Sequence, residues 1–517
     1  MAMNDMNHAD VTTCDVVIIG AGVIGCAVAR ELARYRLDII VLEKESDVGQ
    51  GISARNSGVV HAGFNCEAGT VKAGLCVEGC RRFGDFCEEL GVPYRKTGKL
   101  VVALDDRDRE GLRRLKETGE KNGVEGLEII ETEERIRRLE PNIRGVAAMI
   151  SPWTAITSPY LLTVALAENA LANGVRFFLD TKVTEIRLVT PEPDAESTAI
   201  PGPVPARYRV QTMENTGSRE FRTACVINCA GLHADTIAAM AGPCRHTVHP
   251  CRGEYFILDK RVSGMLSRPV YPVPRPGEGG LGVHLTTTLE GNILIGPSAE
   301  YIEEREDYAT TAEVMEKLFR EAQALLPQIE RQDFIRDYAG VRPKLVSRET
   351  GGFGDFLMEE SACAPGFFNL LGIESPGLTC APVIGEVVAR LLSARLPLVS
   401  SGRFQPKRSV RPRFRDLDDV RKAERVRQNP AEGVIVCRCE EVTLAEIREA
   451  LDNPLGVRTL AGIKYRTRAM MGRCQGGYCM TRIIEEMQEH GGMSPEEIRL
   501  GGAGTELFAG YIKGAER

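Results

Sequence analysis

The sequence predicts an α/β fold: a doubly wound parallel sheet, interleaved along the chain with an antiparallel sheet and followed by a small, mostly helical domain. Three observations carry this. An apolar strand at Asp15 to Ile19 runs into a glycine-rich turn, a helix and a second strand. Short β-like runs punctuated by Pro and Gly fill Leu266 to Pro297. Four of the 16 cysteines cluster beyond residue 436.

A chain of 517 residues exceeds one ordinary core and allows two or three domains. Its 65 Lys and Arg against 72 Asp and Glu give a net charge of −7, which argues against a general nucleic-acid binder. Met1 to Thr13 is polar, without the apolar stretch of a secretory signal. The longest apolar run, Val16 to Ala29, is too short and too Gly-broken to cross a bilayer. The expectation is a cytoplasmic protein with no transmembrane segment. In a large chain of that kind, cysteines read as thiols or metal ligands.

Gly20-Ala21-Gly22-Val23-Ile24-Gly25 follows the first strand at once, and Cys26 to Tyr35 reads as a helix leading to the strand Asp38 to Leu42. This is the first βαβ unit of a Rossmann-like sheet. Gly20 permits the tight turn, Gly22 lets the backbone approach a pyrophosphate, and Gly25 lets helix and strand pack closely. The helix start, with Val23 and Ile24, presents free N–H groups to phosphate. Glu43, next to Lys44, ends the second strand where an acid can accept from ribose hydroxyls. The unit indicates a dinucleotide site and leaves FAD or NAD open.

Further along, Leu161 to Asn173 reads as an amphipathic helix before the strand Val175 to Leu179. Val226 to Gly231 reads as a strand ending in a glycine turn, and Thr311 to Leu326 as a helix. The Pro-rich stretch Thr190 to Ala206 reads as a solvated insertion, and Arg403 to Asn429 as a surface linker. Ser494-Pro495-Glu496-Glu497 reads as an N-cap followed by a first helical turn.

Gly51 to Gly63 (GISARNSGVVHAG) resembles the second signature of the D-amino-acid oxidase superfamily of flavoproteins, and is most similar to that of L-2-hydroxyglutarate dehydrogenases. The resemblance continues through Lys72 to Gly79, Gly98 to Ala103, Asn228 to Asp235, Tyr271 to Pro274 and Leu281 to Thr286, covering about residues 14 to 395. It implies FAD, held at the pyrophosphate by Gly20, Gly22 and Gly25 and at the adenosine ribose by Glu43. Ser53, Asn56 and Ser57 would line the flavin, with Arg55 and Gly58 in the same segment. Val183 would meet the adenine, and Ala230 and Gly231 would face the phosphates. Gly372 to Thr379 resembles the last flavin loop, giving Gly372, Pro376, Gly377, Leu378 and Thr379 as further contacts. The implied division is 14–396 for the oxidoreductase, with FAD-binding parts at 14–90, 150–240 and 345–396 and substrate parts at 91–149 and 241–344.

Oxidising a secondary alcohol needs a base near the flavin, and His61 and His284 lie in motifs resembling active-site segments. His246 and His249 read as structural or surface residues, and His8 and His490 carry no signal. An anionic substrate needs a guanidinium, for which Arg252 and Arg342 are the candidates, with Lys344 a weaker third.

Cys437-Arg438-Cys439 and Cys474-Gln475-Gly476-Gly477-Tyr478-Cys479 give four thiolates, suited to a 2Fe–2S cluster or to tetrahedral zinc. A CxC paired with a Cx4C favours the cluster. The surrounding residues resemble the bacterioferritin-associated ferredoxin-like domain that also ends the large subunit of anaerobic glycerol-3-phosphate dehydrogenase. The implied order is a linker at 397–432, a 2Fe–2S domain at 433–490 and a tail at 491–517.

The combined expectation is an FAD-dependent dehydrogenase for a small anionic secondary alcohol, either a 2-hydroxy acid or sn-glycerol 3-phosphate. Electrons would leave through the cluster to an acceptor protein or partner subunit. An oligomer is expected, with membrane association only through a partner and no nucleic acid bound. The alternatives are an amino-acid or amine dehydrogenase subunit, a tRNA-modifying flavoprotein and a non-enzymatic iron–sulfur carrier or redox sensor.

Overall fold

In the computed structural model, residues 11–189, 207–214, 217–274 and 282–510 are described. Two large sheets share one cavity. The first has eight strands. Its parallel centre runs Gly217–Asn228, Val11–Ile19, Ile39–Leu42, Arg176–Phe178. Tyr208–Glu214 and Lys182–Leu188 extend it antiparallel, and Phe367–Leu371 pairs parallel with the end of Gly217–Asn228. Val16, Val17, Ile18 and the strand Ile39–Leu42 are buried on both faces, as an apolar run inside a parallel sheet should be. The helices Val23–Leu32, Pro159–Ala172 and Gly377–Leu392 pack together over it.

The first turn works because nothing larger than hydrogen fits. Gly20 has φ +100°, and a Cβ there would lie 2.6 Å from the Cys229 carbonyl oxygen. A Cβ on Gly25 would sit 1.9 Å from the Gly20 carbonyl oxygen, so helix and strand touch backbone to backbone.

The nine-stranded sheet draws three strands from Lys99–Ala103, Glu128–Ile130 and Ala147–Ser151, and six from the stretch between His249 and Lys344. It is antiparallel throughout except for one parallel pair, Val270–Pro272 beside Lys99–Ala103. The expected β runs of Leu266 to Pro297 become Val270–Pro272, His284–Thr287 and Ile293–Gly296, while residues 275–281 of that stretch lie outside the described residues. Register sets Val101, Tyr271, His284, Gly296, Tyr255 and Tyr338 in one row across the strands. Side chains in such a row share a face. Accordingly Tyr271 stacks on His284 at 3.4 Å and Tyr255 on Tyr338 at 4.8 Å.

The cysteine domain has its own apolar core, including Ile447, Leu460, Ile463, Ile483 and Met487. Its helices are Leu444–Leu451, Leu460–Thr467 and Met480–Glu489. Between it and the sheets, the expected linker carries a helix, Asp419–Gln428, capped by Asp418 and with no buried residue. Upstream, Arg408 straps the chain down through Glu168 (Nε to Oε2, 2.8 Å) and the Glu89 carbonyl. After the cysteines, Ser494 and Glu497 form a capping box, but the element is a single 3₁₀ turn at Pro495–Glu497. The Pro-rich insertion 190–206 and the final residues 511–517 lie outside the described residues.

Charge docks the cysteine domain. Arg466 makes a two-pronged bond to Asp47 (2.6 and 3.1 Å), both side chains being almost fully buried. Glu440 is held by Lys260 at 2.6 Å and by Arg468 at 3.1 Å. Removing one partner of a buried pair strands the other, at a cost of about 3–5 kcal/mol. Arg466→Met should therefore lower the urea midpoint and expose the 397–432 segment to limited proteolysis. Equal midpoints and equal cleavage would show that the pair does not hold the domain.

Candidate active site and cysteine site

One cavity of about 690 Å³ runs between the two sheets. Its floor is the first turn: Gly20, Gly22, Val23 and Ile24 line it, while Gly25 lies behind as the packing glycine. No side chain caps the helix Val23–Leu32 from its N-cap residue Gly22. The Val23 N–H instead reaches Ser53 Oγ at 2.9 Å. A dipole-positive helix end facing a cavity, with a side-chain-free glycine at its N-cap, is suited to a phosphate.

Glu43 lines the cavity and accepts from the N–H groups of Ala21 (2.6 Å) and Glu45 (3.0 Å). Burial pushes its carboxyl up to about 7 despite those two donors. Lys44 lines the cavity and bonds Glu306. Ser53, Asn56, Ser57, Val183, Ala230, Gly231, Pro376, Gly377 and Leu378 also line it.

Four expected contacts sit off the cavity wall. Arg55 lays its guanidinium 4.2 Å from the Tyr308 ring and bonds the Gln50 carbonyl. Gly58, at φ +69°, packs against the Thr157 carbonyl, and Gly372, at φ +68°, packs on Leu345. Thr379 is buried, and its Oγ1 accepts from the His61 N–H at 2.9 Å, so it positions the histidine.

His61, His284 and Arg342 line the cavity; Arg252 does not. His61 meets the Tyr271 ring edge-on, and His284 stacks on its face. Burial and the nearby Lys99 charge bring His61 down to about 3, so its imidazole is neutral at working pH. Arg342 bonds carbonyl oxygens, the shortest to Ser298 at 2.7 Å, and among the described residues no carboxylate pairs with it. Arg252 is spent elsewhere: Asp307 (2.6 Å), Glu300 (2.8 Å) and Glu254 (3.4 Å) surround its guanidinium. The expectation that it meets the substrate gives way to a structural ion cluster. Lys344 is buried against Glu374, and burial lowers it from its usual range.

Sequence reasoning gave no role to Lys72 or Lys99, although both stood in quoted motifs. Each lines the cavity, is buried, and has an Nζ with no hydrogen-bond partner. Lys99 lies over the rings of Phe64 (4.4 Å) and Tyr271 (4.1 Å). The one signal was a lysine opening a strand whose five residues are all buried. Gln50 Nε2 is likewise buried without a partner on this wall. Orphaned donors, the glycine cradle and the helix end all fit a flavin dinucleotide with a small anion beside it.

The four clustered cysteines meet as two pairs. Cys439 Sγ lies 3.6 Å from Cys474 Sγ, and the Cys437 and Cys479 thiols hydrogen-bond. Two thiolates on one tetrahedral iron stand about 3.7 Å apart at metal–sulfur bonds of about 2.3 Å. Two such pairs match the two irons of a 2Fe–2S cluster. A Cβ on Gly472 would strike Cys439 Cβ at 2.2 Å, so the loop closes on the cysteines only with glycine there. The Cys479 thiol bond pulls Cys437 down to about 6 against its burial. Of the other twelve cysteines, ten are buried, which suits the reading of inert thiols.

The fold and cavity define a dinucleotide-dependent redox enzyme with a separate four-thiol site. The FAD dependent oxidoreductase family matches residues 15–391, and the BFD-like [2Fe-2S] binding domain matches residues 435–489. The chain is 37% identical to a glycerol 3-phosphate dehydrogenase of Caloramator mitchellensis, over 96% of this chain and 99% of that one. It is 33% identical to a mitochondrial L-2-hydroxyglutarate dehydrogenase of Arabidopsis thaliana, over 72% and 82%. Among solved structures it is similar to the dithionite-reduced, FAD-bound L-alpha-glycerophosphate oxidase of Mycoplasma pneumoniae, with a TM-score of 0.68 and 29% identity over 77% and 99%. The chain belongs to the FAD dependent oxidoreductase family: it is an enzyme, and its cofactors are FAD and a 2Fe–2S cluster. Among the described residues, no helix is long and apolar enough to cross a membrane.

Two predictions follow from the site itself. Cys474→Ser should abolish bound iron and sulfide while flavin content stays normal; parallel loss of flavin would mean that the two sites do not fold separately. Burial brings Lys99 down to about 7, against about 10.4 in an unfolded chain. The unfolded state thus binds more protons between those values, so stability from this group rises with pH from about 7 to 10. Lys99→Met should be the more stable protein at pH 7, with the difference shrinking towards pH 9, in urea titrations of flavin-free samples.

Proposed function

We propose that this enzyme oxidises an anionic secondary alcohol, sn-glycerol 3-phosphate first, through an oxidoreductase part over 14–396 and a cluster part over 433–490. The supporting observation is coverage. The glycerol 3-phosphate dehydrogenase relative aligns end to end, through the cysteine domain, whereas the hydroxyglutarate relative aligns over 72% of the chain. A 2-hydroxy acid such as L-2-hydroxyglutarate is the second reading, supported by that 33% identity.

When bound, FAD supplies the acceptor for the carbinol hydrogen, and the cluster supplies one-electron storage on the way to an acceptor protein or partner subunit. The chain's own residues do the rest. Gly20, Gly22 and the helix end behind them hold the pyrophosphate, and Glu43 accepts from the ribose. Arg342, free of carboxylates, binds the substrate anion with a planar fork that fits phosphate or carboxylate. A ring nitrogen of His61, held neutral by burial and fixed at its backbone by Thr379, takes the hydroxyl proton. Tyr271, pressed between Lys99 and His284, walls the site from water. The expected location is the cytoplasm.

Anaerobic mixing should bleach the flavin with sn-glycerol 3-phosphate faster than with L-2-hydroxyglutarate or amino acids. If none of them reduces it, the substrate reading fails. His61→Asn should slow flavin reduction about 10²- to 10⁴-fold at saturating substrate, the usual worth of a general base. Arg342→Met should chiefly raise the substrate concentration needed for half-maximal reduction.

A further inference from the structure

Beside Arg342, the cavity wall carries a buried charge cluster that the mechanism above leaves unused. Glu374, in the loop before the helix Gly377–Leu392, is 1% exposed at its side chain. Two buried lysines flank it. Lys344 Nζ stands 3.4 Å from Glu374 Oε2, and Lys72 Nζ stands 3.7 Å from Glu374 Oε1. Lys344 also donates to the Gly352 carbonyl at 2.8 Å. Lys72 has only the Phe356 and Phe353 rings near its charge, at 5.0 and 5.8 Å. Two atoms of this cluster are buried with no hydrogen bond: Lys72 Nζ, a donor, and Glu374 Oε2, an acceptor. Both residues line the cavity that holds Arg342 and His61.

A buried charged atom without a hydrogen bond costs several kcal/mol unless something in the cavity completes it. The missing group must both accept and donate. A carboxylate or phosphate can accept from Lys72 but is repelled by Glu374. A hydroxyl does both at once, as it has one O–H and two lone pairs. We propose that Lys72 and Glu374 form a hydroxyl-recognising subsite that takes the primary alcohol of the substrate, beside the anion at Arg342 and the reacting carbinol at His61. This rests on the reading of the substrate as an anionic secondary alcohol and deepens it. The pair selects a polyol phosphate over a hydroxy dicarboxylate, whose second carboxylate can accept from Lys72 but has no proton to donate to Glu374.

The test compares three probes by anaerobic flavin bleaching: sn-glycerol 3-phosphate, 2-hydroxypropyl phosphate, which lacks only the primary hydroxyl, and L-2-hydroxyglutarate. In the wild-type holoenzyme, loss of that hydroxyl should weaken binding at least tenfold, because a site built to bond a hydroxyl rejects the analogue without it. Lys72→Met leaves Glu374 paired with Lys344. It should weaken sn-glycerol 3-phosphate about tenfold, leave 2-hydroxypropyl phosphate unchanged, and keep the limiting rate of reduction within threefold. Lys72→Arg should restore part of the lost affinity. Equal binding of the two phosphates to the wild type would overturn the proposal, since water then completes the pair. Equal weakening of both phosphates by Lys72→Met would overturn it too, making Lys72 a general anion holder. Should Lys72→Met lose its flavin, the wild-type comparison decides alone. If no probe bleaches the flavin, the substrate reading itself falls and this subsite falls with it.

Discussion

Positive charge buried with too little counter-charge governs this structure. Lys72, Lys99 and Arg342 all face one cavity between two sheets, and among the described residues none has a carboxylate within hydrogen-bond distance. Lys344 and Lys72 share a single acid, Glu374, at 3.4 and 3.7 Å. Desolvation makes such groups expensive, and a fold keeps them where a ligand supplies the missing charge or hydrogen bonds. A dinucleotide and a small anion do so together. The contrast with Arg252 is instructive. It lies one strand away from Arg342, with register partner Val341, yet three acids surround it and it does not line this cavity.

Strand register explains why these groups converge. Within the row from Val101 through Tyr271, His284 and Gly296 to Tyr255 and Tyr338, the rings of Tyr271, His284 and Tyr255 line the cavity. A Cβ at Gly296 would strike the Tyr255 ring at 2.9 Å, so glycine is what lets the two stacked pairs sit in one row. Lys99 is two residues from Val101 and so shares its face. A one-residue slip in any of these strands would turn the histidine or the lysine away from the cavity.

The βαβ unit was legible because a strand, a Gly-x-Gly-x-x-Gly turn and a helix have no other common use together. The cysteines were legible by spacing, and both sets of motifs resembled known families. Arg252 misled because sequence shows a guanidinium but not the acids that fold against it: Glu300 and Asp307 lie 48 and 55 residues away. Lys72, Lys99 and Glu374 went unassigned for the converse reason. Their significance is the absence of a partner, and that exists only once burial has been decided by the tertiary fold. The helix inside the linker was hidden by its composition, since Asp419–Gln428 buries nothing and shows no apolar stripe.

The cysteine domain is bound to the site by more than its linker. Arg466 reaches Asp47, four residues past the cavity-lining Glu43, and Gln475 in the cysteine loop accepts from Arg336 at 2.9 Å. Arg336 and Arg342 share the strand Phe334–Lys344, six residues or about 20 Å apart at the rise of an extended chain. One rigid strand thus touches the thiol loop near one end and carries the cavity-lining Arg342 near the other. Because the sheet fixes that strand on its partner from His249 to Leu258, a shift of the cysteine loop would have to break backbone hydrogen bonds to reach the cavity. The geometry therefore favours a fixed spacing between the two redox sites over a hinged one, and the buried Arg466–Asp47 pair supplies the second anchor that a fixed spacing requires.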